Sequence, residues 1–306
     1  MVKKIKVINF HDVKSKKWFE SSILTIGKYY DFINPKRLYD TLQTNIKIKT
    51  NSCLITVDDG DKSYFDIIFP ILSKYKIPSI LFVSPKIIKE RTNFWFQEIR
   101  SYDHEKLNRI ISDYFKVELI DYSNGTIFKS ISIKETWDII NAYKRKHNIA
   151  PQEPRNIDVS QLLKLNDSDL VTIGAHTQNH PILMNEDENS SNKEITSSVN
   201  DLKDIINEEI EYFAYPNGIP NVDYSKREKE CIKKNKIKLA FSTHGDSISN
   251  KYSNYEIPRF GVSYGSNRFI TLKLFLGKYW EVLKKIKNNN NSDMKNRRQV
   301  RSLIYK

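Results

Sequence analysis

Two pairs of residues in this 306-residue chain stand at spacings that chemistry uses. Asp58 and Asp59 are adjacent, follow the apolar run 54–57 and precede Gly60. Neighbouring carboxylates repel each other unless a cation or a proton relieves them. Two acids leaving a buried strand are costly without a partner, although Asp-Gly is also a frequent turn dipeptide. The second pair is His176 and His180, two of only six histidines, just after Gly174-Ala175. An arbitrary histidine pair reads as one buried and one exposed ring. Imidazoles four residues apart, however, converge on one ion from a helical turn or a tight loop. One carboxylate then completes a His₂Asp set with positions left open for water. With Asp59 as that ligand, Asp58 is left to act as a base toward a metal-activated water.

The elements that must position these residues follow from periodicity. Seven short segments read as buried strands, at 5–10, 54–57, 79–83, 170–174, 211–214, 238–242 and 255–258. Helical patterns alternate with several of them. In one, Ser191 and Glu194 have capping-box spacing, and Ile195, Val199, Leu202, Ile206 and Ile210 share a face. Others cover 225–235 and 61–75, the latter interrupted by Pro70. Strands alternating with helices predict an α/β fold, a parallel (β/α) barrel of about seven strands. In such barrels functional residues gather at the carboxyl ends of the strands. His11-Asp12, Asp58-Asp59, His176 to His180, Tyr215-Pro216-Asn217-Gly218, Thr243-His244 and Arg259 all arrive at that rim.

Residues 85–166 break the rhythm with a mostly helical insertion, read either as a lid or substrate wall at the barrel mouth or as padding over the barrel side. Near the end, Leu272, Phe275, Tyr279, Val282, Leu283 and Ile286 pattern an amphipathic helix with a lysine-rich opposite face. It is expected to pack on the barrel, or, in a sharper reading, to dock on an anionic membrane surface. The catalytic domain is thus read as 1–287 and the basic segment 288–306, which opens on asparagines, as a disordered tail.

The balance of 50 basic and 37 acidic residues gives a net charge of +13. Nucleic acid, anionic membrane and phosphorylated substrates are all compatible with that excess. The charge is diffuse outside the tail, and no nucleic-acid motif accompanies it, so no specific nucleic-acid partner is expected. Cys53 and Cys231 imply no disulfide framework. The N-terminus reads as a strand and no run reaches the ~20 apolar residues of a membrane span. A cytoplasmic setting is expected, with the basic helix as a peripheral contact to the inner face of the membrane.

At this point the sequence resembles a known family. Thr56-Val57-Asp58-Asp59-Gly60 resembles the first motif of the polysaccharide deacetylases, carbohydrate esterase family four. His176-Thr177-Gln178-Asn179-His180 resembles the second, and Phe213-Ala214-Tyr215-Pro216-Asn217-Gly218 a variant of the third. The resemblance implies a distorted form of the barrel. It implies Asp58 as general base and Asp59, His176 and His180 as ligands of a divalent metal, usually Zn²⁺. It also implies the Asn217 N–H, after the proline and beside Tyr215, as an oxyanion donor. The arginine that steadies the base in the third motif is replaced by Ala214; Arg259 is the candidate to supply that charge, the alternative being an exposed salt-bridging arginine. Motifs four and five are not recognisable. Phe10-His11-Asp12-Val13 resembles the arrangement in circularly permuted branches, which makes His11 the preferred general acid and His244 its competitor.

The expected function is metal-dependent removal of an N-acetyl group from an amino sugar. The sugar would belong to a nucleotide-linked, lipid-linked or growing surface glycan. The alternatives are a deacylase of a non-sugar amide and a non-catalytic barrel that binds carbohydrate.

Overall fold

The computed structural model describes residues 4–44, 49–248, 252–277, 279 and 291–306. Its centre is one parallel sheet. The strands are β1 (Ile5–Phe10), β2 (Asp31–Phe32), β3 (Ser52–Val57), β4 (Ser79–Val83), β5 (Val171–Ala175), β6 (Tyr212–Ala214), β7 (Leu239–Phe241) and β8 (Phe260–Gly261). They run in the order β7-β6-β5-β4-β3-β1-β8, with β2 added at the start of β3. The result is a distorted, half-open α/β barrel of seven principal strands, as expected.

Strands covered on both faces read as continuous apolar runs, and β1 and β3 are buried at every position. Side chains alternate between the two faces. Ile8, Phe10, Ile55, Val57, Leu81 and Val83 pack in one cluster with the Lys16–Gly27 and Glu188–Ile206 helices. Val7, Leu54, Ile80, Phe82, Ala214 and Phe241 form the other. Pairing Asn9 with Thr56 in the β1–β3 register continues that second face upward in polar residues, and Asp58 follows one step beyond.

Four expectations are corrected. The last strand is Phe260–Gly261, not 255–258. Ile257 makes a single bridge to Phe241, and Pro258, which has no N–H to donate, then interrupts the ladder. Ser191 and Glu194 do not cap a helix: it begins at Glu188 under Asp187, whose side chain accepts from the Ser190 N–H. Along Asn267–Leu276 the buried residues are Ile270, Lys273 and Leu274, whereas Leu272, Phe275 and Tyr279 are exposed. Val282, Leu283 and Ile286 lie outside the described residues. Finally, the expected disordered tail holds the helix Asn291–Ile304. Val300 is buried, with Leu303 and Ile304 against the same cluster, and that burial is what a free tail lacks.

Residues between β4 and β5 are helical and carry that cluster, which includes Trp95, Ile111, Phe128, Ile140 and Tyr143. No helix among the described residues is long and apolar enough to cross a membrane.

Candidate metal centre and active site

The loop after β3 turns sharply. Asp59 has φ 73° and Gly60 φ 67°. Aspartate tolerates this left-handed region better than most residues. At Gly60 a Cβ would also come within 2.9 Å of Val83 Cγ1, so only glycine fits. The turn sends the two carboxylates different ways.

Asp58, 2% exposed, faces Arg259, 1% exposed. Arg259 Nη1 and Nη2 donate to Asp58 Oδ1 and Oδ2 at 2.7 and 2.9 Å. Asn9 Nδ2 adds a third bond at 3.0 Å. Arg259 Nε donates to Ser242 O, and its guanidinium lies over the Phe82 and Phe241 rings. Burial pushes the Asp58 carboxyl up, but the charges of Arg259, His176 and His11 outweigh it and hold it below the usual carboxylate range. His11 Nε2 stands 3.7 Å from Asp58 Oδ2 with its side chain half exposed.

Asp59 faces the histidines. His176 Nε2 and His180 Nε2 lie 3.5 and 3.6 Å from Asp59 Oδ1. His176 Nδ1 contacts Ala214 O at 2.7 Å. A carbonyl only accepts, so Nδ1 carries a proton, and in the neutral ring Nε2 turns a lone pair toward the carboxylate. That convergence is repulsive without a proton or a cation between the atoms. Asp59 Oδ1 is buried and has no hydrogen-bond partner. One donor atom each from Asp59, His176 and His180 lies within 4.8 Å of the others. Ligands ~2.0–2.2 Å from a tetrahedral ion stand about 3.3–3.6 Å apart, which matches the separation of the two imidazole nitrogens from Asp59 Oδ1, and N₂O is a set zinc accepts. The residues fit a divalent metal. Burial and neighbouring His176 push His180 down to about 4, which leaves it in the neutral, ligating form. Burial pushes the Asp59 carboxyl up, but the two imidazoles that face it, His176 and His180, outweigh burial and hold it well below its ordinary value.

The His176–His180 loop is held in an uncommon shape. Thr177 and His180 have φ 63° and 56°, and a β-branched residue there is an outlier. Thr177 Oγ1 accepts from the His180 N–H, and Ser84 Oγ donates to His176 O. The principal clamp is Glu194. Its Oε2 accepts the backbone N–H groups of Gln178 and Asn179, both at 2.9 Å, and its Oε1 accepts Asn179 Nδ2. Periodicity places Glu194 on the buried face beside Ile195; a carboxylate on an apolar face was the signal for this role. The insertion closes the other side. Phe94 and Phe96 meet the His180 ring edge-on at 5.5 and 5.0 Å, and Trp95 Nε1 donates to His180 O.

A cavity of about 600 Å³ opens over these groups, lined among others by His11, Asp59, Trp18, Phe96, Arg100 and Tyr264. Phe96, Gln97 and Arg100 make the insertion one wall. His244 is not among the lining residues; its Nδ1 pairs with Ser242 Oγ. Tyr215 is fully buried, stacks on Tyr224 at 3.6 Å and donates to Tyr255 O, so its place is structural. Asn217 has φ 57°, and Thr243 Oγ1 donates to its carbonyl at 2.6 Å.

The family model for polysaccharide deacetylases matches residues 46–238, which contain all three motifs. The chain belongs to the polysaccharide deacetylase family. Members of this family are carbohydrate deacetylases. Similar solved structures include a Streptococcus pyogenes deacetylase, PplD, in complex with acetate (TM-score 0.60, 16% identity, 89% of this chain and 98% of that one). IcaB from Ammonifex degensii aligns with TM-score 0.60 and 18% identity over 88% and 96% of the two chains. A de-N-acetylase from Aggregatibacter actinomycetemcomitans aligns with TM-score 0.58 and 14% identity over 89% and 100%. At these identities the structures establish the shared fold. No curated protein sequence matches the chain.

Proposed function

We propose that this polysaccharide deacetylase is a metal-dependent hydrolase that removes N-acetyl groups from an amino sugar of a glycan or glycan precursor. The carrying observation is the convergence of Asp59, His176 and His180 next to an Arg259-held Asp58, with Asp59 and His11 lining one cavity. Asp59, His176 and His180 would hold a divalent ion, with Zn²⁺ the first choice for this donor set. When bound, such an ion supplies Lewis acidity to the acyl oxygen and acidifies a water from a pKa of ~15.7 toward ~7.

Asp58, ionised at neutral pH by its Arg259 partner, accepts the proton of the attacking water at a carboxylate oxygen. Arg259 keeps that carboxylate oriented and charged. The Asn217 N–H stabilises the oxyanion, and Tyr215 anchors the turn that carries it. His11, lining the cavity, protonates the departing amine. In the cavity, Trp18 and Tyr264, with ring centroids 5.4 Å apart, offer apolar faces to a sugar.

The test is acetate release from acetylated amino sugars offered free, nucleotide-linked, lipid-linked and as oligomers, with zinc and after chelation. Zinc-dependent release from one class supports the reading. No release from any sugar, with release from a non-sugar amide, would replace it. Asp58→Asn is expected to bind zinc and lose turnover.

A further inference from the structure

The helix Asn291–Ile304 touches two parts of the protein at once. Toward the insertion, Val300 is buried in its apolar cluster. Arg301 donates to Asn185 Oδ1 and Ser130 O, and Tyr305 Oη donates to Glu135 Oε2. Toward the barrel rim, Arg297 is 5% exposed and Asp223 is fully buried. Arg297 Nη2 donates to Asp223 Oδ1 at 2.9 Å, across 74 residues of sequence.

Asp223 uses its other oxygen on the turn that follows β6. Its Oδ2 accepts Asn217 Nδ2 at 2.6 Å and the Ile219 N–H at 2.8 Å. Its own N–H donates to Ile219 O. That turn runs through two left-handed residues, Asn217 and Gly218. It begins at Ala214, whose carbonyl accepts from His176. A buried carboxylate that braces such a turn requires a cation, because an uncompensated charge in the interior is expensive. Arg297 is the cation paired with it.

We propose that the C-terminal helix is a positioning element of the reaction centre. Arg297 fixes Asp223, and Asp223 fixes the Asn217 side chain and the turn bearing its backbone N–H. The proposal rests on the oxyanion role given to Asn217 above. Arg297 has no hydrogen bond or ion pair to Asp59, His176 or His180, and His176 meets this segment at Ala214, before the residues that Asp223 braces, so removing Arg297 is expected to disturb the turn rather than the three candidate ligands.

The experiment uses the full chain carrying Arg297→Met or Arg297→Lys beside the unsubstituted protein. Zinc affinity is measured by competition with a chromogenic chelator, kcat and KM by acetate release from an N-acetylated amino-sugar oligomer, and backbone exchange of 215–219 by mass spectrometry. In Arg297→Met, kcat falls about 10- to 100-fold, the effect typical of outer-sphere partners. Zinc affinity and KM stay unchanged, exchange of 215–219 accelerates, and Arg297→Lys restores part of the rate. An unchanged kcat with unchanged exchange overturns the proposal. So does a loss of zinc affinity in step with kcat, which is general loosening. If Arg297→Met fails to fold, Asp223→Asn/Arg297→Met, which removes both charges, takes its place under the same criteria. If the unsubstituted protein releases no acetate from any sugar, the deacetylase reading fails on its own. The exchange comparison still decides whether Arg297 orders the turn.

Discussion

Replacing Arg259 by methionine strips the cation from a carboxylate that is 2% exposed. Two bonds, at 2.7 and 2.9 Å, vanish and only the Asn9 amide remains. Breaking a buried pair from one side costs about 3–5 kcal/mol, because the surviving charge is uncompensated. At about 2–4 °C per kcal/mol for a chain of this size, the melting temperature drops on the order of 10 °C. The loss depends on pH with a definite sign. Asp58 is held below its ordinary value, so it contributes stability above the usual carboxylate range and loses it as pH falls through the depressed value. Without Arg259, burial dominates and raises the carboxyl. Ionisation then costs stability, and the penalty grows with pH. Thermal melts at pH 5 and pH 8 should show the larger deficit at pH 8. Asp58→Asn strands the arginine in turn. The double variant Asp58→Asn/Arg259→Met should cost well under the sum of the single changes. Additivity within about 0.5 kcal/mol would mean the two residues are not coupled, and would refute the account of Arg259 as partner of Asp58.

Three further outcomes are expected. Glu194→Ala frees the Gln178 and Asn179 amides and should weaken zinc binding about 10- to 100-fold in a chelator competition, with the fold retained by circular dichroism. His11→Ala should cut kcat by about 10²-fold or more while His244→Ala leaves it near normal, since only His11 lines the cavity; the reverse ranking would transfer the acid role to His244. Glu186, pushed by burial from 4.5 to about 7, resists ionisation. Its contribution is intact below its ordinary pKa and lost as pH rises through 7, so Glu186→Gln should leave stability unchanged near pH 4 and raise it by at most about 3 kcal/mol at pH 8, measured by denaturant melts.

The barrel strands were legible where burial on both faces leaves a continuous apolar run. The segments at 5–10 and 79–83 coincide with β1 and β4 to the residue. Asp31–Phe32 was not, because a two-residue strand has no period to detect. The candidate metal site was legible because a strand end and a four-residue spacing are local features. Its supports were not. Glu194, Asn9 and Ser84 act through contacts that only the folded chain creates, and Glu194 had a competing local explanation as a cap. The C-terminal helix was missed for a similar reason. Asn-rich and Arg-rich sequence looks solvated until Val300 and Arg297 find an apolar cluster and a buried aspartate.

Phe94, Trp95 and Phe96 press on His180, and Phe96 also lines the cavity beside Asp59. On the proposed reading, ligand recognition and ion retention share one short segment. Sequence drift that reshapes this wall for a new glycan will register at the imidazole as well. Selectivity and ion affinity are thereby tied together over evolutionary time, and an engineer who redesigns the wall must re-measure the metal with every change of sugar.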